Sequence, residues 1–496
     1  MTNKKILAYD LGASSGRAIL GILSKKEKKL EIEEIYRFKT GITRIFDSLF
    51  WNVLGFFNEM KKGLFETSQK HGNVDSIGID SWGVDFVLLN SNGMVVGNPY
   101  NYRDKRTNGV LEKLTELIPK KQLFQISGLQ FIQINSLVQL YSMVLSKSPL
   151  LKIARKYLMI ADFFNYLFTN KTFCEYTLTS TSQIYDLETK NWSKIIIQKL
   201  GLDLDMFPEI IQPGTKIGNL LPAIANETRM GEIPIIATAA HDTAAAIAAV
   251  PAQGDDFMYL SSGTWALMGV ELKDPNTSDI ALKYNFTNEG GVKDTIRFLK
   301  NIIGLWLLQE CKRIWEQSGK EYSYDYLTKE AEKAKSFVSF INPEDPVFLN
   351  PVNMPESIKN YCKKTNQKVP NSIGEITRCI FESLAFKYKE VYGKLKEITK
   401  KSINIFHIFG GGSKNKLLNQ FAANATNLEV IAGPSESTSI GNILVQCFYS
   451  NEISTLSELR TIVRNSFDIE SYSAQDVSEW EEAYKKYINV ISRNFP

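Results

Sequence analysis

The chain has 496 residues, of which 44% are hydrophobic and 23% charged, a composition typical of a globular protein with an extensive core. This length exceeds what one simple core usually accommodates, so we expect two domains. Lysine and arginine outnumber aspartate and glutamate by only 58 to 54, without long runs of one sign, which argues against a nucleic-acid partner. The five cysteines and three histidines are scattered, which argues against a disulfide framework and a zinc site.

The first hundred residues predict strands and turns around one helix. The segments KILAYDLG (5–12) and RAILGIL (17–23) are apolar strands separated by a short turn, and the stretch from Leu49 to about Gln69 has helical spacing. Two more short strands follow, SIGID and DFVLLN. Because Asp10 interrupts the first apolar run, that run does not resemble a signal peptide.

Helical patterns dominate from about 110 to 200, and a Pro- and Gly-rich loop at 208–220 leads into a new strand. The second half then begins like the first, because DDFMYLSSGTWALMGVEL (255–272) is again a strand, a turn of small hydroxyl residues and a strand. Further on, INIFHIFGGGSKNKLLNQ predicts a strand, a triple glycine and a helix. We therefore expect two related α/β domains, covering 1–244 and 245–496.

Three turns at strand ends are rich in glycine and hydroxyl residues: LGASSGR (11–17), SSGTW (261–265) and FGGGSKN (409–415). Consecutive backbone amides in such turns can bind a phosphate group. The sequence has no P-loop and no Rossmann glycine motif, so these other common nucleotide sites are not indicated. Asp10, beside the first turn, is either a magnesium ligand or a residue that stabilises the turn.

The stretch AAHDTAAAIAAVPAQ (239–253) places a histidine and an aspartate among small apolar residues, close to the expected domain boundary. An ionised carboxylate in such surroundings is costly unless it is paired or used. Asp242 is therefore either the cap of a buried helix or a working group at a cleft. The motif GIDSWGVDF (78–86) is either part of a sugar site or a surface loop with one buried aspartate. The pair His241–Asp242 and flanking prolines argue against a membrane-spanning helix at 233–252, so we expect a cytoplasmic protein.

These motifs occur together in the order and spacing of a known family. DLGASSGR, IGIDSWGVDFVLL, HDTAAA, YLSSGTWALMG, TNEGG and IFGGGSKNKLLNQ resemble the FGGY carbohydrate kinases over nearly the whole chain. The resemblance implies two actin-like, ribonuclease-H-like α/β domains with a cleft between them. It also implies ATP and Mg²⁺ as cofactors and a ketose substrate, with a monomer or a homodimer as the assembly.

The family's functional positions can be matched residue by residue. The resemblance implies a catalytic proton acceptor at Asp242 and a metal-holding role for Asp10. The positions matched to sugar contacts are Gly83, His241, Asp242, Thr243 and Asn301. The positions matched to ATP contacts are Ala13, Ser14, Ser15, Gly16, Arg17, Thr264, Gln309 and Gly411.

The implied reaction is ATP-dependent phosphorylation of a ketose, with the 1-hydroxyl of L-rhamnulose favoured as the acceptor. A kinase for L-fuculose, D-xylulose or a polyol is the first alternative. A non-catalytic protein that senses ATP or sugar is a second one, and the intact HDT motif and hydroxyl turns argue against it.

Overall fold

A computed structural model describes residues 3–492 of the chain. The strands are β1 Lys4–Leu11, β2 Ser15–Ser24, β3 Lys29–Lys39, β4 Ile42–Ile45, β5 Ser48–Trp51, β6 Ser76–Ser81, β7 Phe86–Leu89, β8 Lys156–Met159, β9 Cys174–Glu175, β10 Tyr185–Asp186, β11 Asn191–Trp192, β12 Ile210–Ile211, β13 Thr215–Asn219, β14 Pro234–Ala237, β15 Phe257–Ser262, β16 Trp265–Leu272, β17 Thr287–Gly290, β18 Ile296–Ile303, β19 Ile405–Phe409, β20 Glu429–Ala432 and β21 Glu470–Tyr472.

The α-helices lie between and after these strands. They are α1 Val53–His71, α2 Val110–Leu117, α3 Lys120–Ser127, α4 Ser136–Leu145, α5 Pro149–Ile153, α6 Ile160–Thr169, α7 Tyr176–Thr179, α8 Lys194–Lys199, α9 Pro222–Thr228, α10 Asp242–Ala248, α11 Asp279–Lys283, α12 Trp306–Glu316, α13 Tyr324–Lys333, α14 Met354–Lys364, α15 Ile373–Thr399, α16 Lys416–Thr426, α17 Ser437–Gln446, α18 Leu456–Ser466 and α19 Val477–Ile491.

The chain forms two compact units. The first unit comprises Met1–Gln253, Glu271–Phe298 and Ser437–Ser466, and the second comprises Gly254–Val270, Leu299–Glu436 and Phe467–Pro496. Two domains were expected from the length of the chain. The expected boundary between residues 244 and 245 stays a prediction, and the structure adds that each unit is built from separate stretches of sequence.

The sheet of the first unit has the strand order β3-β2-β1-β6-β14-β13. Strands β3, β2 and β1 are antiparallel neighbours, whereas β1, β6 and β14 run parallel and β13 is antiparallel to β14. The centre of this sheet is apolar on both faces, since Leu7, Ala8 and Ile77 are fully buried. Continuous burial of this kind is typical of parallel strands that are covered by helices on both sides.

The other large sheet has seven strands, in the order β17-β18-β16-β15-β19-β20-β21. Strands β15 and β16 form the antiparallel hairpin, β15, β19 and β20 run parallel, and β21 is antiparallel to β20. The order and directions of β16-β15-β19-β20-β21 match those of β2-β1-β6-β14-β13 in the first sheet. This confirms the expectation that the second half of the chain begins as the first half does.

The local predictions differ from the structure in two places, the start of one helix and the segment 208–220. That segment was expected to be a loop, but it contains β12 and β13, and β13 forms there by pairing with β14. The predicted helix from Leu49 begins only at Val53, because the residues Ser48–Trp51 pair as an edge strand with Ile42–Ile45. Asn52 then caps the helix by accepting a hydrogen bond from the Gly55 amide. The five cysteines are free and buried. In the described part of the chain, no helix has both the length and the apolarity needed to cross a membrane.

Candidate active site

Three aspartates of the first unit form a group that we call the carboxylate cluster: Asp10, Asp80 and Asp242. Asp10 on β1 and Asp80 on β6 are register partners at the carboxyl ends of parallel strands. The Asp80 side chain is fully buried and accepts a 2.6 Å hydrogen bond from Nδ2 of Asn442. Burial, followed by the negative charge of Asp10, raises the pKa of Asp80 well above its usual range.

Asp10 is held by a cation and a hydroxyl. Its Oδ2 atom lies 2.5 Å from Nη2 of Arg17 and accepts a 2.9 Å hydrogen bond from Oγ of Ser439. Arg17 reaches Asp10 because the two residues face each other across the β1–β2 hairpin. Asp10 is almost completely buried, so this ion pair replaces much of the water that an exposed carboxylate would bind.

Asp242, the third member of the cluster, is the first residue of α10. Its Oδ1 atom accepts hydrogen bonds from the Thr243 amide at 2.5 Å and from the Thr243 hydroxyl at 3.0 Å. About 31% of its side chain remains exposed, whereas the side chain of Asp10 is 9% exposed. Burial of the carboxyl, followed by the charge of Asp10, raises the pKa of Asp242 to about 7. A carboxylate with this pKa can both take and release a proton near neutral pH.

The alanine-rich sequence after Asp242 has a packing explanation. Helix α10 lies against α17 of the same unit, and a Cβ atom on Gly441 would stand 1.8 Å from the carbonyl oxygen of Ala245. An alanine in place of Gly441 would therefore force the two helices apart, and the alanines of α10 are themselves buried. The capping position of α10 is occupied by His241, whose side chain makes no capping hydrogen bond. Asp242 thus stands inside the helix and is not its cap.

The backbone that leads into Asp242 is fixed by buried polar groups. The Ser81 amide donates to the carbonyl of Ala240 at 2.9 Å, which extends the sheet as far as His241. On the other side, Glu175 accepts a 3.2 Å hydrogen bond from the Ala240 amide. Thr177 accepts one from the His241 amide, also at 3.2 Å. These contacts hold the His241–Asp242 pair at the end of the sheet.

His241 lies between Asp242 and a buried ion pair that the sequence analysis did not assign to the site. Its Nε2 atom is 3.4 Å from Oδ1 of Asp242, and its Nδ1 atom is 3.6 Å from Oε2 of Glu289. Glu289 in turn pairs with the fully buried Arg297 at 2.9 Å. Burial, followed by the charge of Arg297, lowers the pKa of His241 well below its usual range, so the imidazole is neutral. A charged residue within the apolar strand TIRFLK was the available sequence signal for Arg297.

Gly83 lies beside this histidine. A Cβ atom on Gly83 would stand 3.1 Å from Oγ1 of Thr181 and 3.2 Å from Nε2 of His241. The structure of the first unit therefore brings together Gly83, His241, Asp242 and Thr243 from the expected sugar contacts. Asn301, the remaining residue of that set, is a half-buried residue of β18 in the second unit.

Asp85, the second aspartate of GIDSWGVDF, does not lie in a surface loop. Asp85 is fully buried and accepts hydrogen bonds from the indoles of Trp51 and Trp82 at 2.5 and 3.0 Å. Nε2 of Gln139 donates to its other oxygen at 2.9 Å. Because these donors satisfy the carboxylate, Asp85 fixes the connection between β6 and β7.

The first hydroxyl turn is the tip of the β1–β2 hairpin. Ala13 and Ser14 are exposed there, and the Gly12 amide closes the turn by donating to the Ser15 carbonyl at 2.9 Å. Oγ1 of Thr40 donates to the Gly12 carbonyl at 2.7 Å and ties the turn to the sheet. Ser15, Gly16 and Arg17 begin β2, so residues 13–17 form one continuous, partly exposed loop and strand start.

The second unit brings its own expected nucleotide residues together. Oγ1 of Thr264 donates to Oε1 of Gln309 on α12 at 3.0 Å. The amide of Gly304 donates to the Thr264 carbonyl at 3.1 Å, so the start of α12 is tied to the SSGTW turn. A Cβ atom on Gly412 would stand 2.0 Å from Oγ of Ser262, which places the triple glycine against the same turn. Gly411 is exposed and has open space at its Cβ position.

A sheet topology that occurs twice, with glycine and hydroxyl turns at the strand ends, defines this protein as a two-domain α/β protein of the actin-like class. Family models give the more specific assignment. The N-terminal domain model of the FGGY family of carbohydrate kinases matches residues 5–249, and the C-terminal domain model matches residues 258–450. The chain belongs to the FGGY family of carbohydrate kinases.

Individual relatives agree with this assignment. The chain is 41% identical to a rhamnulokinase of Bacteroides thetaiotaomicron, over 98% of this chain and 99% of the relative. It is 38% identical to a rhamnulokinase of Bacillus subtilis, over 95% of each chain. Among solved structures, the fold is similar to xylulose kinase from Lactobacillus acidophilus, with a TM-score of 0.82, 15% identity and coverage of 98% and 97%. Glycerol kinase from Plasmodium falciparum has a TM-score of 0.79 at 12% identity, with coverage of 100% and 99%.

Proposed function

We propose that this kinase transfers the γ-phosphoryl group of ATP to the 1-hydroxyl of L-rhamnulose, giving L-rhamnulose 1-phosphate and ADP in L-rhamnose catabolism. The observation that carries the chemistry is the partly exposed Asp242 carboxylate, whose pKa is raised to about 7. The choice of sugar is supported by the near full-length similarity to the rhamnulokinases of two distant bacteria.

Asp242 acts in this proposal as the general base. A sugar hydroxyl is a weak nucleophile at neutral pH, and a carboxylate within hydrogen-bonding reach takes its proton as the oxygen attacks phosphorus. The oxygen then forms the new P–O bond, while the bond to the ADP oxygen breaks and ADP leaves with the electron pair. The raised pKa matches this role, because Asp242 is sufficiently ionised at neutral pH to accept the proton and sufficiently basic to hold it.

The remaining expected residues divide between the two substrates. We assign sugar binding to Gly83, His241, Thr243 and Asn301, supported for the first three by their proximity to Asp242 within the first unit. We assign ATP binding to the loop 13–17 and to Thr264, Gln309 and Gly411. The support for the last three is the packing of Gly412 and α12 against the SSGTW turn.

Asp10 fits the binding of Mg²⁺ by a single carboxylate. Among the described residues there is no group of three or more His, Cys, Asp or Glu side chains suited to hold a metal ion. Mg²⁺ in kinases is commonly bound by one or two carboxylates together with water and substrate phosphates, so Asp10 suffices as the protein ligand. The ion would supply positive charge near the transferred phosphoryl group. Arg17 and Ser439, which share Oδ2 of Asp10, would orient the carboxylate.

We also propose a cytoplasmic location and an assembly that is either a monomer or a homodimer. Neither a nucleic acid nor a membrane is needed for the reaction. The near-neutral charge balance supports the exclusion of a nucleic-acid partner. The absence of an apolar helix of membrane-spanning length in residues 3–492 supports the exclusion of a membrane.

The test is ADP release from ATP in the presence of a panel of sugars, with L-rhamnulose, L-fuculose, D-xylulose and glycerol as acceptors. We expect the highest kcat/KM with L-rhamnulose. A clear preference for L-fuculose or D-xylulose would contradict the assigned sugar while leaving the kinase reaction in place. ATP binding without sugar-dependent ADP release from any acceptor would instead support a sensor.

A further inference from the structure

The environment of His241 contains polar atoms that the proposed reaction does not use. Nδ1 of His241 and Oε2 of Glu289 are both inaccessible to solvent and, among the described residues, neither makes a hydrogen bond of normal geometry. They nevertheless face each other at 3.6 Å. Buried polar atoms are rarely left unsatisfied, so a small adjustment that joins these two atoms is favoured. Catalytic contacts are commonly long in the absence of substrate and shorten in its presence.

The charge state of Glu289 determines which ring nitrogen of His241 carries the hydrogen. Arg297 is fully buried, pairs with Glu289 at 2.9 Å and donates from Nε to the Gly290 carbonyl at 2.6 Å. A buried guanidinium without a counter-charge is strongly disfavoured, so Glu289 is held as a carboxylate. An ionised carboxylate only accepts hydrogen bonds. The nitrogen of His241 that faces it must therefore carry the hydrogen.

We propose that Glu289 is a positioning residue that fixes His241 as the Nδ1–H tautomer and thereby leaves an unprotonated Nε2 directed at Asp242. The proposal rests on the role of Asp242 in the proposed function. In this tautomer, Nε2 has a lone pair facing Oδ1 of Asp242 at 3.4 Å. Two acceptors face each other while Asp242 is ionised, and a donor–acceptor pair replaces them when Asp242 is protonated.

This arrangement strengthens Asp242 as a base during proton transfer. The O–H bond of the sugar breaks, an O–H bond forms on Asp242, and the electron pair left on the sugar oxygen forms the bond to phosphorus. The new Asp242 hydroxyl can then donate to Nε2 of His241. The contact therefore improves as the reaction proceeds, and an interaction that is stronger in the transition state than in the ground state raises kcat.

The direct test is the tautomer of His241 in the full-length protein, read by NMR after ¹⁵N labelling of histidine. The chain has only three histidines, so His71→Gln and His407→Gln variants assign the spectrum. We expect one proton-bearing nitrogen, Nδ1, and one unprotonated nitrogen, Nε2. An Nε2–H tautomer in the unliganded protein would overturn the proposal. This measurement needs no substrate, so its result is independent of whether the protein phosphorylates L-rhamnulose.

Two variants distinguish a positioning role of Glu289 from a role in stabilising the fold. Glu289→Gln removes the charge but leaves Arg297 unpaired, so a double variant, Glu289→Leu with Arg297→Met, removes acceptor and cation together. In both we expect loss of the defined Nδ1–H signal and a fall of about 10-fold or more in kcat, with KM for ATP changed by less than about 3-fold. A charge-conserving control, Arg297→Lys, should retain the Nδ1–H signal.

A purely structural role for Glu289 makes a different prediction. It would lower the unfolding temperature of the variants while leaving the His241 tautomer and the kcat of the folded fraction unchanged, and that result would also overturn the proposal. Loss of the tautomer without the fall in kcat would equally contradict it. If the wild-type protein phosphorylates no sugar, the proposed function is wrong. The NMR measurement then still decides whether Nδ1 or Nε2 of His241 carries the hydrogen.

Discussion

The two large sheets share an arrangement of five strands but carry different side chains at the strand ends. In the first unit, the strand ends carry acidic side chains, with Asp10 on β1, Asp80 on β6 and Asp242 at the start of α10. In the second unit, the corresponding hairpin and parallel strand end in small residues, Thr264 and the triple glycine. The first unit therefore has titratable side chains at these strand ends, whereas the second unit has backbone there that a ligand can approach closely. This difference suits the proposed proton removal by Asp242 in the first unit, whereas the proposed phosphate contacts come from the glycine and hydroxyl turns of both units.

The largest expected effect comes from removing the base of the first unit. Asp242→Asn keeps the shape of the side chain but loses the ability to take a proton, so kcat should fall by roughly 100-fold or more. KM for ATP and sugar should change by only a few-fold, because hydrogen bonding by the side chain is largely retained. Steady-state kinetics with coupled detection of ADP measures both. Turnover close to that of the wild type would remove Asp242 from the base role.

The pH dependence tests the same carboxylate without a mutation. The pKa of Asp242 is raised to about 7, and the base must be ionised to accept a proton. The value of kcat/KM should therefore fall about tenfold per pH unit below pH 7 and become independent of this group above about pH 8. Asp242→Asn should lack this acid limb. If the wild-type profile stayed flat between pH 5 and 8, the raised pKa would not govern catalysis.

In the second unit, the corresponding test adds a methyl group at the triple glycine, where the turn leaves little room for it. Gly412→Ala would place Cβ 2.0 Å from Oγ of Ser262, so the turn must shift, and we expect a stability loss of about 1–3 kcal/mol. Gly411→Ala is the matched control, since its Cβ position is open. The control should unfold at nearly the wild-type temperature in calorimetry. If Gly411 contacts the nucleotide as proposed, its variant should instead raise KM for ATP, and an unchanged KM would place that contact elsewhere.

The fold could be predicted largely from the sequence because the relevant signals are local. The apolar strands on either side of LGASSGR and SSGTW, and the glycine run before α16, each predict their own element. The strand β5 at Ser48–Trp51 was mistaken for the beginning of α1 because apolar residues continue across both elements. Only pairing with β4, a tertiary contact, separates them.

The site was predictable to a smaller extent. Asp242 stood out because a carboxylate among alanines requires a reason, and Asp10 because it lies at the end of a buried strand. Arg297 gave only a weak signal, a charge within an apolar strand, and Glu289 lies in the motif TNEGG. Their place in the site becomes apparent only through their contact with each other and that of Glu289 with His241. The environment that raises the pKa of Asp242 is likewise assembled from distant stretches of the chain. Local sequence indicates which groups are unusual, whereas tertiary structure determines what they face.

The smallest expected effect concerns the edge of the proposed sugar site. Gly83→Ala would add a Cβ atom 3.1 Å from Oγ1 of Thr181 and 3.2 Å from Nε2 of His241, distances at which both neighbours must move by a few tenths of an ångström. Displacing His241 should raise KM for the sugar by about 3–10-fold, whereas KM for ATP should stay unchanged. Gly41→Ala, at an exposed position with open space, is the control. An equal rise in both KM values would indicate a general disturbance of the first unit and would contradict the proposed place of Gly83 in the sugar site.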